Sequence, residues 1–286
     1  MTERGQGRPP QDRPALPEAL PAPVVDTHCH LDLAESMTGL VAEEAIALAA
    51  AVGVTRIVQV GCDVEGSRGA VDAAQRLDTV VAGVAVHPTE AARLGRHLGP
   101  ALAEIERLAQ HDRVRAVGET GLDFYRTPEA AGRALQRESF AAHIAWAKAY
   151  DKTLVIHDRD AHAAVLDVLD AEGAPDRVVM HCFSGDETFA RQFLDRGAHL
   201  SYAGTVTFKN AEPLRAALRV TPLDRVLTET DAPYLTPTPY RGRPNASYLI
   251  PHTARLMADV LSVSLGALCQ ALDDNANRAF GGPWGS

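Results

Sequence analysis

The chain has 286 residues, 46% hydrophobic and 23% charged, with a formal net charge of −9. That length buries a large core in a single domain. The acidic balance excludes a broad DNA-binding surface of the repressor kind, while still allowing a locally positive cleft for a polyanionic substrate.

Residues 1–22 are rich in Pro, Arg and Gln and lack the apolar core of a signal peptide. They read as a disordered N-terminal extension, and 23–286 as one folded domain. Short Val/Ile/Leu runs then recur at Val24–Asp26, Arg56–Val60, Val80–Val86, Val114–Val117, Leu154–Ile156, Val178–Met180, Ala198–Tyr202 and Val226–Thr228. Their length and β-branched content suit strands buried on both faces. Helical patterns lie between them: Leu102, Ile105 and Leu108 share one face, and Phe140, Ile144 and Ala147 another. Gly53 and Gly197 stand where a helix should stop before the next strand. About eight strand–helix repeats predict a (β/α)8 TIM barrel. An open doubly wound sheet fits less well, because no Gly-x-Gly-x-x-Gly follows the first strand. From Tyr248 to Phe280 the pattern reads as closing helices, with Leu256 and Val260, then Leu265, Leu268 and Leu272, as apolar faces. No run of about eighteen apolar residues occurs, so no membrane span is expected. Cys29, Cys62, Cys182 and Cys269 are scattered without a Cys-x-x-Cys pair, which suits reduced thiols in a cytoplasmic protein.

His28 and His30 are two residues apart in the first run, so on a strand they share a face. Neutral imidazoles placed so converge on one point, as a divalent cation requires. A pair of hydrogen-bonded core histidines would explain them equally well in isolation. The other strand ends weaken that explanation, since chemistry in such barrels sits at the carboxyl ends of the strands. In order these ends are Gly61-Cys62, His87-Pro88, Glu119 to Asp123, His157, His181 to Gly185, Gly204 and Asp231 to Leu235. The donors are imidazole nitrogen and carboxylate oxygen, which suits Mg²⁺, Mn²⁺ or Zn²⁺. Four imidazoles and two carboxylates exceed one tetrahedral shell, so two divalent metal ions are expected. A carboxylate such as Glu119 can bridge two cations, and an aspartate on the last strand can take a proton from an activated water.

The segments His28-Cys29-His30-Leu31-Asp32, Gly118 to Tyr125, Ile156 to Asp160, His181 to Gly185 and Glu229 to Leu235 resemble the signatures of the TatD family of metal-dependent deoxyribonucleases. The match runs in order from about Val24 to Phe280. It extends to Tyr240–Asn245 and Asn277–Phe280. The resemblance implies a TIM barrel with His28, His30, Glu119, His157, His181 and Asp231 as metal ligands. Glu119 would bridge, and Asp231 would be ligand and general base. It also places Arg126 and His87 at the substrate, with Asp123 beside them. Ser247 stands where the family commonly has proline, the leading extension is long, and Pro88-Thr89 follow His87 where the family often has a second histidine.

Other residues have more ordinary readings. Asp26 suits either orienting an imidazole or filling the barrel floor. Asp123 suits positioning a ligand, holding Arg126, or a simple salt bridge. Cys182 reads as a small buried thiol, and Phe208-Lys209 as a surface helix start more than a phosphate contact. His97, His111, His143, His162, His199 and His252 have no assigned role. The expected activity is divalent-metal-dependent, exonucleolytic cleavage of phosphodiester bonds through a metal-activated water. The expected partner is DNA, single-stranded or at frayed ends, with no obligate protein partner. The alternative is an amide, lactone or aminoacyl-tRNA ester hydrolase on the same barrel.

Overall fold

A computed structural model describes residues 13–285. Its strands are β1 (Val24–Cys29), β2 (Val54–Gly61), β3 (Val80–Val84), β4 (Val114–Asp123), β5 (Thr153–Arg159), β6 (Val178–Met180), β7 (His199–Tyr202) and β8 (Val226–Thr228). All neighbouring pairs are parallel, in the order β1 to β8. The ring closes just past β8: Ala232 bridges Cys29, Asp231 N–H donates to His28 O at 2.9 Å, and His30 N–H donates to Ala232 O at 2.8 Å. With helices between successive strands, this is the expected (β/α)8 TIM barrel.

The strands form where β-branched residues can be buried on both sides; every residue of β3 is buried. The helices bury the predicted stripes: Leu102, Ile105 and Leu108 in Leu98–Ala109, and Phe140, Ile144 and Ala147 in Ala130–Ala149. In the closing helices Ile250–Leu261 and Leu265–Ala279, Leu268 and Leu272 are buried as expected. Leu256 and Val260 are only half-buried. The first closing helix instead turns inward a stripe containing Ile250, Ala254, Met257 and Ala258, whose small residues let it lie close to the barrel.

β4 is longer than its apolar run. After a register shift between Val117 and Thr120, it pairs with β5 through Asp123 opposite Arg159. Glu119 and Asp123 are therefore strand residues.

The first part of the expected disordered extension, 1–12, lies outside the described residues. Residues 13–22 run without helix or strand along the barrel and are tied to it. Tyr248 Oη donates to Pro14 O at 2.8 Å, Leu20 N–H donates to Val52 O at 3.0 Å, and Arg255 donates to Glu18 O at 2.9 Å. Pro14 and Leu20 are the buried anchors of this stretch. At the amino end of the barrel, Arg56 donates to Asn277 at 2.7 Å and lies under the Trp284 ring at 4.7 Å. The Asn277 segment thus serves the floor, away from the strand carboxyl ends. Among the described residues, no single helix is long and apolar enough to cross a membrane.

Candidate metal centre

β1 carries His28 and His30 to the carboxyl mouth of the barrel. His28 is fully buried, and its ring stacks on that of His181 with centroids 3.6 Å apart. Neither ring nitrogen of His28 has a hydrogen-bond partner among the described residues, although Nε2 stands 3.5 Å from Glu119 Oε2 and 4.0 Å from Asp231 Oδ1. A buried polar atom so orphaned is costly unless another group completes it. His30 Nδ1–H donates to Val60 O at 2.8 Å, which aims Nε2 at Asp231 Oδ1, 3.4 Å away.

Glu119 is the hub. Its Oε1 lies 2.6 Å from His157 Nδ1, 3.3 Å from His87 Nε2 and 3.4 Å from His181 Nε2, while Oε2 faces His28. Gly121, two residues on, makes the close pairing of β4 with β5 feasible. Its φ is +127°, and a Cβ there would sit 2.1 Å from His157 O, so a side chain is excluded. The imidazoles are oriented from behind. His181 Nδ1 is 2.8 Å from Glu229 Oε1, and His157 Nε2 is 3.3 Å from Asp123 Oδ2. Asp231 takes a left-handed φ of +53°, held by its own N–H on His28 O and by Tyr234 N–H on its carbonyl at 2.9 Å.

The electrostatics are those of interleaved acids and bases. Burial pushes the Glu119 carboxyl up, but the charges of His87 and His181, the close approach of His157 and the proximity of His28 outweigh it and hold it well below the ordinary range. Asp231 is lowered against the same burial by His30 and His181. Burial pulls His157 and His181 down, yet the carboxylates around them prevail and raise both to about 9. His28 is lowered, first by burial and then by the charge of His181. Burial also pushes the Cys62 thiol up to about 11, so this sulfur, 3.7 Å from Glu119 Oε2, stays protonated at neutral pH.

Three sets of donors have ligand atoms all within 4.8 Å of one another: His28, His30 and Glu119; His28, His181 and Asp231; and His87, Glu119 and His157. The six sequence-predicted ligands therefore converge. His87, expected at the substrate rim, joins them at Glu119. Asp123 is buried and turned into the protein, where it accepts Arg126 N–H at 2.7 Å and faces His157. The Arg126 side chain is exposed in the turn after β4. Asp26 orients no imidazole: its carboxylate accepts Thr230 N–H at 2.9 Å and Thr230 Oγ1–H at 2.6 Å, and so knits β1 to the segment after β8.

Sequence reasoning missed three contributors. Glu229 lay in a quoted motif, and its signal was a second acid two residues before Asp231. Cys62 was visible only as a strand end. His143 left no sequence signal, because its partner Val86 belongs to a distant segment.

A closed barrel with nitrogen and carboxylate donors gathered at the carboxyl ends of its strands defines a metal-dependent hydrolase. The comparisons narrow this class. The sequence profile of the TatD related DNase family matches residues 25–281, and the chain belongs to that family. It is 45% identical over 264 residues to a Mycobacterium tuberculosis protein named as an uncharacterized metal-dependent hydrolase, TatD, covering 91% of this chain and 99% of that one. It is 39% identical over 259 residues to the Escherichia coli metal-dependent hydrolase YcfH, covering 90% and 95%. Among solved structures, the E. coli TatD homologue YJJV superposes with a TM-score of 0.82 at 27% identity, covering 91% of this chain and 98% of that chain.

Proposed function

We propose that this hydrolase is a deoxyribonuclease that cleaves phosphodiester bonds exonucleolytically with two divalent cations. The observation that carries the reading is the completeness of the donor set around His28. This buried imidazole has no partner, lies within 3.5 Å of one acid and 4.0 Å of another, and is shared by two of the donor groups. Such a set fits divalent cations, because the donors grouped around His28 and Glu119 are imidazole nitrogen and carboxylate oxygen. The family name points to DNA as the substrate.

His28, His30, Glu119, His157, His181 and Asp231 would hold the cations, with His87 beside Glu119. Bound there, the cations supply Lewis acidity that lowers the pKa of water and stabilises charge on the phosphoryl oxygens. Asp231 has the access a base needs, since its side chain is 16% exposed while that of Glu119 is 6% exposed. With Oδ1 turned to His30, Oδ2 is the atom that takes the proton from the attacking water. The exposed Arg126 grips a neighbouring phosphate and sets the strand in line. Four free cysteines, two of them buried, suit a reducing cytoplasm.

The test is a strand-resolved digest of an end-labelled oligonucleotide across Mg²⁺, Mn²⁺ and Zn²⁺. A ladder growing from one end is expected, as is a fall in turnover of about 100-fold or more in Asp231→Asn with unaltered melting. Absence of cleavage with every cation, together with rapid hydrolysis of a lactone, amide or aminoacyl-tRNA ester, would overturn the proposal.

A further inference from the structure

Six large hydrophobic side chains are exposed by a third or more among the described residues. Two of them, Tyr125 at 63% and Tyr234 at 45%, stand on the loops at the mouth of the barrel. Tyr125 lies two residues beyond β4, and Tyr234 lies in the loop after β8, three residues past Asp231. In a ring of eight strands ordered β1 to β8, β4 and β8 are diametrically opposed. The metal centre therefore lies between the two tyrosines.

Tyr125 also has a partner on its ring. Arg159, the last residue of β5 and the register partner of Asp123, sets its guanidinium 4.1 Å from the centroid of the Tyr125 ring. A cation–π pair of this kind fixes the ring at little cost and covers one face. Its exposure shows that the rest of the ring is left to solvent. A second such pair lies beyond β7, where Arg241 sits 3.9 Å from the ring of the half-buried Phe208. The hydrolytic chemistry uses neither tyrosine. A tyrosine ring offers a large apolar face with a polar tip, which suits a position where one side meets a ligand and the other meets water.

We propose that Tyr125, backed by Arg159, and Tyr234 are stacking platforms for unpaired bases on either side of the hydrolysed linkage, so that the strand crosses the mouth from β4 to β8. This rests on the nuclease reading and adds how the strand is gripped. Phosphate contacts weaken steeply with salt, and a chain of net charge −9 adds no long-range attraction to them. Stacking is tolerant of sequence and supplies affinity that salt does not screen.

The test is fluorescence anisotropy with a labelled single strand of about ten nucleotides and Mg²⁺, in an Asp231→Asn background that prevents turnover. Tyr125→Ala and Tyr234→Ala should each raise Kd by about 5- to 150-fold, and the increase should persist at high salt. Tyr125→Phe and Tyr234→Phe keep the ring and should restore binding. An abasic strand of the same length should bind weakly to the parent and to all variants alike. Unchanged Kd in the alanine variants would overturn the proposal, and so would an abasic strand held as tightly as the normal one, including the case in which the rings meet a protein instead. The abasic comparison needs only the parent, so it decides the matter even if a variant fails to fold. Cleavage of DNA by the wild-type enzyme alongside unchanged variant binding sinks this inference alone. Absence of both cleavage and binding sinks the nuclease reading with it.

Discussion

His143 offers a test in which the sign of the effect follows from its hydrogen bonds and burial. It is fully buried in the helix Ala130–Ala149. Its Nδ1–H donates to Ser139 O at 2.6 Å, and its Nε2 accepts Val86 N–H at 3.1 Å. That arrangement requires a neutral ring, and burial lowers its pKa from 6.5 to about 4. Val86 precedes His87, whose Nε2 lies 3.3 Å from Glu119, so the bond also fixes how that imidazole enters the centre. Between these two pKa values the unfolded chain binds a proton that the folded chain refuses. The contribution is complete above about pH 6.5 and is lost as pH falls. At 1.36 kcal/mol per pH unit, the loss reaches about 3 kcal/mol near pH 4. In His143→Gln the amide oxygen can reach the Nε2 position and still accept Val86 N–H, but it does not titrate. The variant forfeits the Ser139 bond, about 1 kcal/mol. Urea unfolding of both proteins from pH 7 to 4.5 should show the variant less stable at neutral pH and the two curves crossing near about pH 6. Other acids and imidazoles titrate in both proteins and cancel in the difference. Parallel stability profiles across this range would refute the reasoning.

Glu229→Gln retains an oxygen for His181 and for Cys182 N–H, which both meet Oε1 at 2.8 Å, but removes the charge behind His181. Affinity for the divalent cation should fall about 10- to 100-fold in a chelator competition titration, and an unchanged affinity would show that Glu229 does not support the centre. Gly121→Ala places a Cβ 2.1 Å from His157 O at a φ of +127°, so β4 and β5 must part. The urea midpoint should reveal a loss of about 2–4 kcal/mol, with wild-type stability as the refuting result. Stripping the cation with EDTA should abolish hydrolysis. Restoring it at about 100 times Kd should recover activity and add about 2.7 kcal/mol of stability, read as a rise in Tm; a chelator-insensitive activity would contradict the metal centre.

The barrel was legible because strands covered on both faces must be written as continuous apolar runs, such as Val80 to Val84, which standard alternation cannot mimic. The ligands were legible because a two-residue spacing and a strand end are one-dimensional features. What escaped was whatever depends on a partner from a distant segment. The run Glu119-Thr120-Gly121-Leu122-Asp123 has no apolar signature of a strand, yet it pairs with β5 up to Arg159. Asp26 and Asp123 are both acids near ligands. Only packing distinguishes the one that binds Thr230 from the one that faces His157.

This difference bears on how the centre is made. Glu119 is fixed within a paired strand, and three imidazoles have their second nitrogen facing groups that the barrel itself positions: Val60 O for His30, Asp123 for His157 and Glu229 for His181. Donors held in this way need little rearrangement when a cation arrives, so closing the ring and assembling the centre are one event. Affinity should therefore respond to changes in strand pairing, such as Gly121→Ala, as strongly as to changes in the carboxylates behind the histidines.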